Sequence, residues 1–214
     1  EKIKVGPSES MSKSKKNTID PEQMIQNYGA DAVRLFILSD SPPERDVQWS
    51  DQGMVASYKF IQKFWMLHKK IVFKSQQSNK KTQIFSEPIE EFTNQTINKI
   101  NLSLNKFSYN VIIANLHEIY AFFNKMIEEK IFFKNLTNNY IKILTIMLPI
   151  TPHLVNECLN EIAINKNYFW PKVEEKYLQS KQSNIVVQIN GKKRGLILTE
   201  KNIKEAELIS EIKK

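Results

Sequence analysis

Cysteine is nearly missing from this chain, which has one, Cys158, in 214 residues. A lone thiol builds neither a disulfide framework nor a thiolate metal cluster, and it points to a reducing, cytoplasmic compartment. No apolar run approaches the roughly 20 residues of a membrane-spanning helix, and the N-terminus carries no apolar signal-peptide core, so no membrane partner is expected. Only three histidines occur, His68, His117 and His153. They lack Glu-x-x-His or comparable spacing, and no metal site is expected from them. The Asn-x-Ser/Thr matches at Asn94, Asn101 and Asn135 read as chance in an asparagine-rich cytosolic chain.

Positive charge is what the chain has in excess. A formal net charge of +8 favours an anionic partner, nucleic acid among them, and 41% hydrophobic residues suffice to bury the core of one or two domains. The densest chemistry lies near the start, in Ser10-Met11-Ser12-Lys13-Ser14-Lys15-Lys16-Asn17. Lysine charge and short hydroxyl donors there lead into a helix start at Asp20-Pro21-Glu22-Gln23, with Asp20 as N-cap, proline in the first turn and Gln23 closing a capping box. Such a loop suits phosphate.

The run Met11-Ser12-Lys13-Ser14-Lys15, followed by Asp20-Pro21 and Tyr28-Gly29-Ala30-Asp31-Ala32-Val33-Arg34, resembles the KMSKS signature region of class I aminoacyl-tRNA synthetases. Ser41-Pro42-Pro43-Glu44-Arg45-Asp46-Val47-Gln48-Trp49 resembles the leucyl members in particular, whose double proline and following tryptophan set them apart from the isoleucyl, valyl and methionyl ones. One departure is plain. Ser10 stands where that family has the first lysine of the signature, so part of the loop's charge is missing unless Lys15 or Lys16 replaces it.

Taken in order, the chain opens with Ile3 and Val5 alternating with lysines as at a strand end, and Gly6-Pro7-Ser8 turns it into the loop. After the capped helix, Gly29 serves as C-cap and Asp31 caps a second helix carrying Val33, Leu35, Phe36 and Leu38. Arg34 on its polar face reads as structural. Pro42-Pro43 fixes an extended connector, and Ser50 caps a long helix to about Phe73 with a core stripe of Met54, Tyr58, Ile61 and Trp65, flanked by Phe64, Leu67 and Ile71. A polar loop covers 75–83. Helical stripes follow at Ile89-Phe92-Thr96-Ile100-Leu104-Phe107, at Tyr109-Ile112-Leu116-Ile119-Phe123-Ile127 and at Tyr140-Leu144-Met147-Leu148; Pro149 and Pro152 then break and restart a helix with Val155, Cys158, Leu159 and Ile162 inside. From Ile185 the period becomes that of a strand, and two short strands joined by the basic turn Gly191-Lys192-Lys193-Arg194-Gly195, then a helix from Ile203, are expected.

The expected fold is mainly α: an antiparallel helix bundle of the class I anticodon-binding type over 50–180, preceded at 1–49 by the end of a Rossmann-type catalytic domain and followed at 181–214 by the start of a small α+β domain. Leu148-Pro149-Ile150-Thr151-Pro152-His153 and Trp170-Pro171 carry the resemblance in the bundle, and Val187-Gln188-Ile189-Asn190-Gly191-Lys192 carries it in the small domain. The resemblance implies part of a leucine-tRNA ligase that uses ATP and Mg²⁺ to charge tRNA-Leu with leucine, as a cytoplasmic monomer. It implies Lys13 as the catalytic lysine and Met11, Ser12, Lys13 and Ser14 as the ATP-binding loop. Lys192, Lys193 and Arg194 suit an RNA backbone. Trp49, Trp65 and Trp170 read as packing anchors, Cys158 as core and His153 as a helix-start packing or capping residue. With Glu1 first, Lys214 inside a helical pattern and no HIGH motif, nucleotide-binding strands or editing domain in the sequence, the chain reads as a C-terminal fragment not expected to act alone. The rival readings are a non-catalytic RNA-binding module, a helical protein-binding scaffold, or another class I synthetase of isoleucyl, valyl or methionyl type.

Overall fold

The computed structural model describes residues 9–39, 42, 44–77, 84–129, 133–162, 168–178, 182–200 and 208–209. The chain forms two compact units, Glu1–Val173 and Glu174–Lys214. The first contains seven helices among its described residues: α1 (Pro21–Tyr28), α2 (Ala30–Ser39), α3 (Asp51–Gln77), α4 (Glu87–Asn105), α5 (Tyr109–Glu128), α6 (Leu136–Met147) and α7 (Pro152–Ile162). The second is a hairpin, β1 (Gln182–Ile189) with β2 (Lys192–Glu200), after a 3-10 turn at Glu175–Tyr177. The expected strand end before the signature loop lies outside the described residues. Of the helix expected from Ile203, only Leu208 and Ile209 are described, and both are helical.

Local caps set the starts of α1 and α3. The Asp20 carboxylate accepts from the Glu22 N–H at 3.0 Å, and Gly29, at φ 82°, ends α1 with its N–H on the Ile25 carbonyl. The Ser50 hydroxyl accepts from the Gly53 N–H at 3.1 Å and caps α3. Helix α3 supplies the spine of the bundle. Its buried positions are Met54, Ser57, Phe60, Phe64, Leu67, His68, Ile71 and Val72, while Tyr58, Ile61 and Trp65 are half-buried. The stripe is thus centred about one residue from the sequence expectation, because helices pack on both flanks of it and Phe60 and Phe64 are the residues that reach Tyr120 and Tyr140.

In α4 the inward face is Ile89, Thr93, Ile97 and Ile100, and it carries a buried polar cluster. Asn135 exchanges two hydrogen bonds with the backbone of Ser86, at 3.1 and 2.9 Å, tying the starts of α4 and α6 together. The amides of Asn135 and Asn139 both donate to the Glu90 carboxylate, at 3.0 and 2.8 Å, which satisfies a nearly buried charge. Phe107 leaves the expected stripe: it follows the helix end at φ 52° and is 61% exposed, because the chain must reverse there to begin α5. Cys158 is buried as expected, and burial with the nearby Glu161 and Glu157 carboxylates pushes its thiol up to about 12. The His68 ring lies between the Tyr140 hydroxyl at 3.3 Å and the Glu161 carboxylate at 3.0 Å, pinning α3 to α6 and α7.

Helix α2 joins the signature region to this bundle. Asp31 does not cap α2, which begins at Ala30. Its carboxylate instead accepts from the His153 and Leu154 N–H groups and caps α7, 122 and 123 residues away. His153 itself is exposed and contributes its backbone rather than a packed ring. Arg34, three residues along the same helix, donates to the carbonyls of Ile150 at 3.1 Å and Pro149 at 2.6 Å.

In the second unit, the two-residue turn Asn190-Gly191, at φ 52° and 74°, closes the hairpin. This corrects the expected basic turn. Asn-Gly fits the doubly left-handed tight hairpin turn, so Lys192, Lys193 and Arg194 belong to β2 instead. The register skips Arg194, with Val187 opposite Gly195 and Gln188 opposite Lys193, which marks a bulge at that residue.

Candidate functional site

The signature loop is ordered by its own side chains. Asn17 closes it, its Oδ1 accepting from the Ser12 N–H at 2.8 Å and its Nδ2 donating to the Ser10 carbonyl at 3.4 Å. Within the ring, the Lys15 and Lys16 N–H groups bond to the Ser12 and Lys13 carbonyls, both at 3.2 Å, and the Ser12 hydroxyl lies 3.2 Å from that of Ser14. Lys16 takes a left-handed conformation, φ 53°, which ends this tight turn. An amide side chain able to donate and accept at once is what such a closure needs. No local sequence signal marks Asn17 for this role, which depends on the ring the loop makes.

The charges separate. Lys15 is paired with Glu9 at 2.8 Å, both about half exposed, a contact worth at most about 1 kcal/mol. Lys13 and Lys16 are exposed, and their side chains make no hydrogen bond or ion pair with a described residue. Of the two lysines weighed as replacements for the charge missing at Ser10, Lys16 is therefore the uncompensated one. Met11 is exposed, Ser12 half-buried and Ser14 exposed, so the four predicted loop residues lie together. Met11 alone of the four lines an open cleft of about 600 Å³, with Glu9, Ser10 and Asn17 on the loop side and Asp46, Val47, Gln48 and Trp49 forming a further wall. That wall is fixed from below: the Trp49 ring meets Phe36 of α2 edge-on at 5.1 Å, and its indole N–H donates to Asp51 at 2.8 Å. Free ammonium groups, hydroxyls and an open approach give this edge the chemistry to meet a polyphosphate.

A second basic surface lies on the bundle. Lys59, Lys63 and Lys70 recur with Met66 at steps of four, three and four along the outer face of α3, and with Tyr120 and Asn124 of α5 they line a shallow cleft of about 230 Å³. The sequence pattern did not reveal these lysines, because the apolar stripe of α3 dominates its periodicity and they are spaced along the opposite face. Lys192, Lys193 and Arg194 are all exposed, but they are spread along a strand rather than gathered at a tip, and strand alternation directs Lys192 and Lys193 to opposite faces before the bulge at Arg194. Among the tryptophans, Trp49 and Trp65 are half-buried packing residues. Trp170 is 42% exposed and is held by its N–H on Asn101 at 2.9 Å, beside Phe169, which is 82% exposed.

Comparison with known proteins places both surfaces in context. The family model described as tRNA synthetases class I (I, L, M and V) matches residues 5–50, and the anticodon-binding domain of tRNA ligase matches residues 87–210, more than half of the chain. A leucine–tRNA ligase of Bradyrhizobium sp. (strain ORS 278) is 32% identical over 99% of this chain and 26% of its own length. One from Orientia tsutsugamushi (strain Boryong) is 35% identical over 91% of this chain and 23% of its own. The chain thus spans about a quarter of the length of these curated relatives. The crystal structure of the ternary complex of Agrobacterium radiobacter K84 agnB2 LeuRS-tRNA-LeuAMS superposes with a TM-score of 0.74 at 23% identity, covering 94% of this chain and 27% of that one, a likeness of fold. Matched by both family models in consecutive segments, and by leucine–tRNA ligases along nearly its whole length, the chain belongs to the class I tRNA synthetases.

Proposed function

We propose that this chain is the part of a leucine–tRNA ligase that supplies the phosphate-binding signature loop, from residues 1–49, and the tRNA-contacting bundle, from residues 50–180, with 181–214 opening a small C-terminal domain. The observation that carries the reading is the closed loop at 10–17, whose Ser10, Met11 and Asn17 line an open cleft and whose Lys13 and Lys16 are exposed without an ion pair to a described residue. In leucine activation the amino-acid carboxylate attacks the α-phosphorus of ATP, a P–O bond forms to leucine, and the bond to the departing pyrophosphate breaks. Negative charge grows on the β- and γ-phosphate oxygens. Lys13 is the group that stabilises it, an electrostatic contribution of roughly 10²- to 10³-fold for one preorganised donor. Ser14 donates to a phosphate oxygen, Ser12 holds the loop's shape, and Lys16 supplies cationic charge near the position that Ser10 leaves neutral.

Magnesium enters as the companion of ATP's phosphates. The described residues do not form a resident site for it: Glu9 is bound to Lys15, and Asp46 across the cleft is a single carboxylate facing a cationic loop. The bundle's part is to bind tRNA-Leu through phosphate contacts from Lys59, Lys63 and Lys70. The protein acts in the cytoplasm as a monomer, and no described helix is long and apolar enough to cross a membrane. The names of the relatives support the leucyl reading over the isoleucyl, valyl and methionyl ones.

The test is leucine-dependent ATP–pyrophosphate exchange by the complete ligase carrying this chain, with and without Lys13→Ala. Exchange slowed by about 10²-fold or more, with tRNA-Leu affinity unchanged within threefold, is the expected result. Equal exchange rates would remove the loop from the mechanism.

A further inference from the structure

We infer that Asp31 and Arg34 are positioning residues that couple the signature loop to the tRNA-binding bundle, by clasping both sides of the turn between α6 and α7. This rests on the function proposed above.

The two side chains sit three residues apart on one face of α2. Arg34 takes the carbonyls of Pro149 and Ile150, where α6 has just ended, and Asp31 takes the N–H groups of His153 and Leu154, where α7 begins. Each charge matches its helix end, a cation at the carbonyl side and an anion at the amide side. The turn has a candidate cap of its own, since Thr151 stands immediately before Pro152 in the position from which a threonine commonly caps a helix. Its hydroxyl is buried and bonded to no described group, and α7 is capped by α2 instead. A helix start that could be closed locally is closed from 122 residues away, which makes the position of α2 depend on the turn and that of the turn on α2.

Toward the loop the connection is short. Gly29 alone separates α1 from α2, with hydrogen bonds running through it on both sides, from Gly29 N–H to Ile25 and from Val33 N–H to the Gly29 carbonyl. Three residues, 18–20, join the loop to α1. Phe36 of α2 also supports Trp49 on the far wall of the cleft. Both sides of the candidate phosphate site are therefore mounted on the helix that holds the bundle's α6–α7 turn, and α2 packs on α3 and α5, the two helices that bear the lysine cleft. A shift of the bundle on binding RNA reaches the loop through this helix, and the Asp31–Arg34 clasp keeps the helix from slipping against the turn.

The test is amide hydrogen exchange on the full 214-residue chain, free and saturated with a tRNA-Leu transcript, for the parent, Asp31→Asn and Arg34→Lys. Neither variant touches the loop or the lysine cleft, and Arg34→Lys keeps a cation at the carbonyls should Asp31→Asn fold poorly. In the parent, tRNA is expected to change exchange at residues 12–17 by threefold or more. In the variants that change falls below 1.5-fold while tRNA affinity stays within threefold of the parent. Variants that fold, bind and transmit as the parent does would overturn the inference, as would a parent loop indifferent to bound tRNA. Direct contact between tRNA and the loop would survive both substitutions and would overturn it equally. A parent that binds no tRNA overturns the proposed function, and the inference falls with it; the binding isotherm separates that outcome from the others.

Discussion

Replacing Asp31 by alanine should cost far more than an ordinary helix cap. Asp31 is 5% exposed and its carboxylate receives two backbone N–H bonds, at 3.3 Å from His153 and 2.6 Å from Leu154. A typical cap residue is worth about 1 kcal/mol, but hydrogen bonds to a charged group contribute about 1.5–3 kcal/mol, and a buried donor left without a partner costs about 1–3 kcal/mol. These terms overlap, so the combined loss is about 2–4 kcal/mol. For a unit of this size each kcal/mol lowers Tm by about 2–4 °C, giving a fall of roughly 4–16 °C. Asp20→Ala is the matched control, because Asp20 caps α1 on the surface with a single bond to Glu22, and its loss should be about 0.5–1 kcal/mol. The assay is urea unfolding followed by circular dichroism, with midpoints compared at constant slope. If Asp31→Ala costs no more than Asp20→Ala, the long-range cap does not hold the turn and the reasoning from it fails.

Gly53→Ala should destabilise although it adds a good helix former, because the new Cβ would stand 2.8 Å from the Phe36 ring, which is packed against Trp49. Overpacking of about 1–3 kcal/mol outweighs a helix-propensity gain of about 1 kcal/mol, and a raised urea midpoint would contradict this. His68 gives the bundle an acid-sensitive pin. Burial holds its pKa below the ordinary 6.5 despite the raising influence of Glu161, with Lys69 nearby lowering it further. The unfolded chain thus binds the proton more readily, and stability present above pH 6.5 should be lost progressively as pH falls from there to the depressed folded value. Glu161, held below its usual range chiefly by Lys69, loses its contribution only at still lower pH. Replacing His68 with glutamine should flatten the slope of stability below pH 6.5; a slope identical to the parent's would show that His68 is not its source.

What the sequence made legible was whatever neighbours decide. Asp20-Pro21 and Gly29 announce α1, Ser50 announces α3, and the apolar periods of α3 to α7 identify a helical bundle, since each signal acts within a turn or two of chain. Asp31 shows where this stops: in the sequence it reads as the cap of the nearest helix, and only the folded chain brings α7 to it. The stripe of α3 was displaced for a related reason, since periodicity finds a face but the helices packed on either side decide its centre. The basic turn differs for another reason: Asn190-Gly191 is itself the tight-turn signal, and the run Lys192-Lys193-Arg194 beside it resembles a charged hairpin tip although it belongs to β2. At the loop, Met11 to Ser14 were legible as a group through their pattern. The closure by Asn17 and the pairing of Lys15 with Glu9 were not, because both depend on the three-dimensional ring.

The most direct test of the account is binding of tRNA-Leu to the chain across a series of salt concentrations, with native and substituted anticodons. The lysines of the α3 face would meet phosphates, so log affinity should fall linearly with log salt, with a slope reporting a few neutralised phosphates. Anticodon substitution should change affinity by less than about 1 kcal/mol, below the roughly 1–3 kcal/mol that a lost direct base contact costs. Salt-independent binding, or a loss beyond about 2 kcal/mol on anticodon substitution alone, would mean that the bundle reads bases, with exposed Phe169 and Trp170 the first residues to suspect, and would contradict the assignment of this segment to a leucyl enzyme.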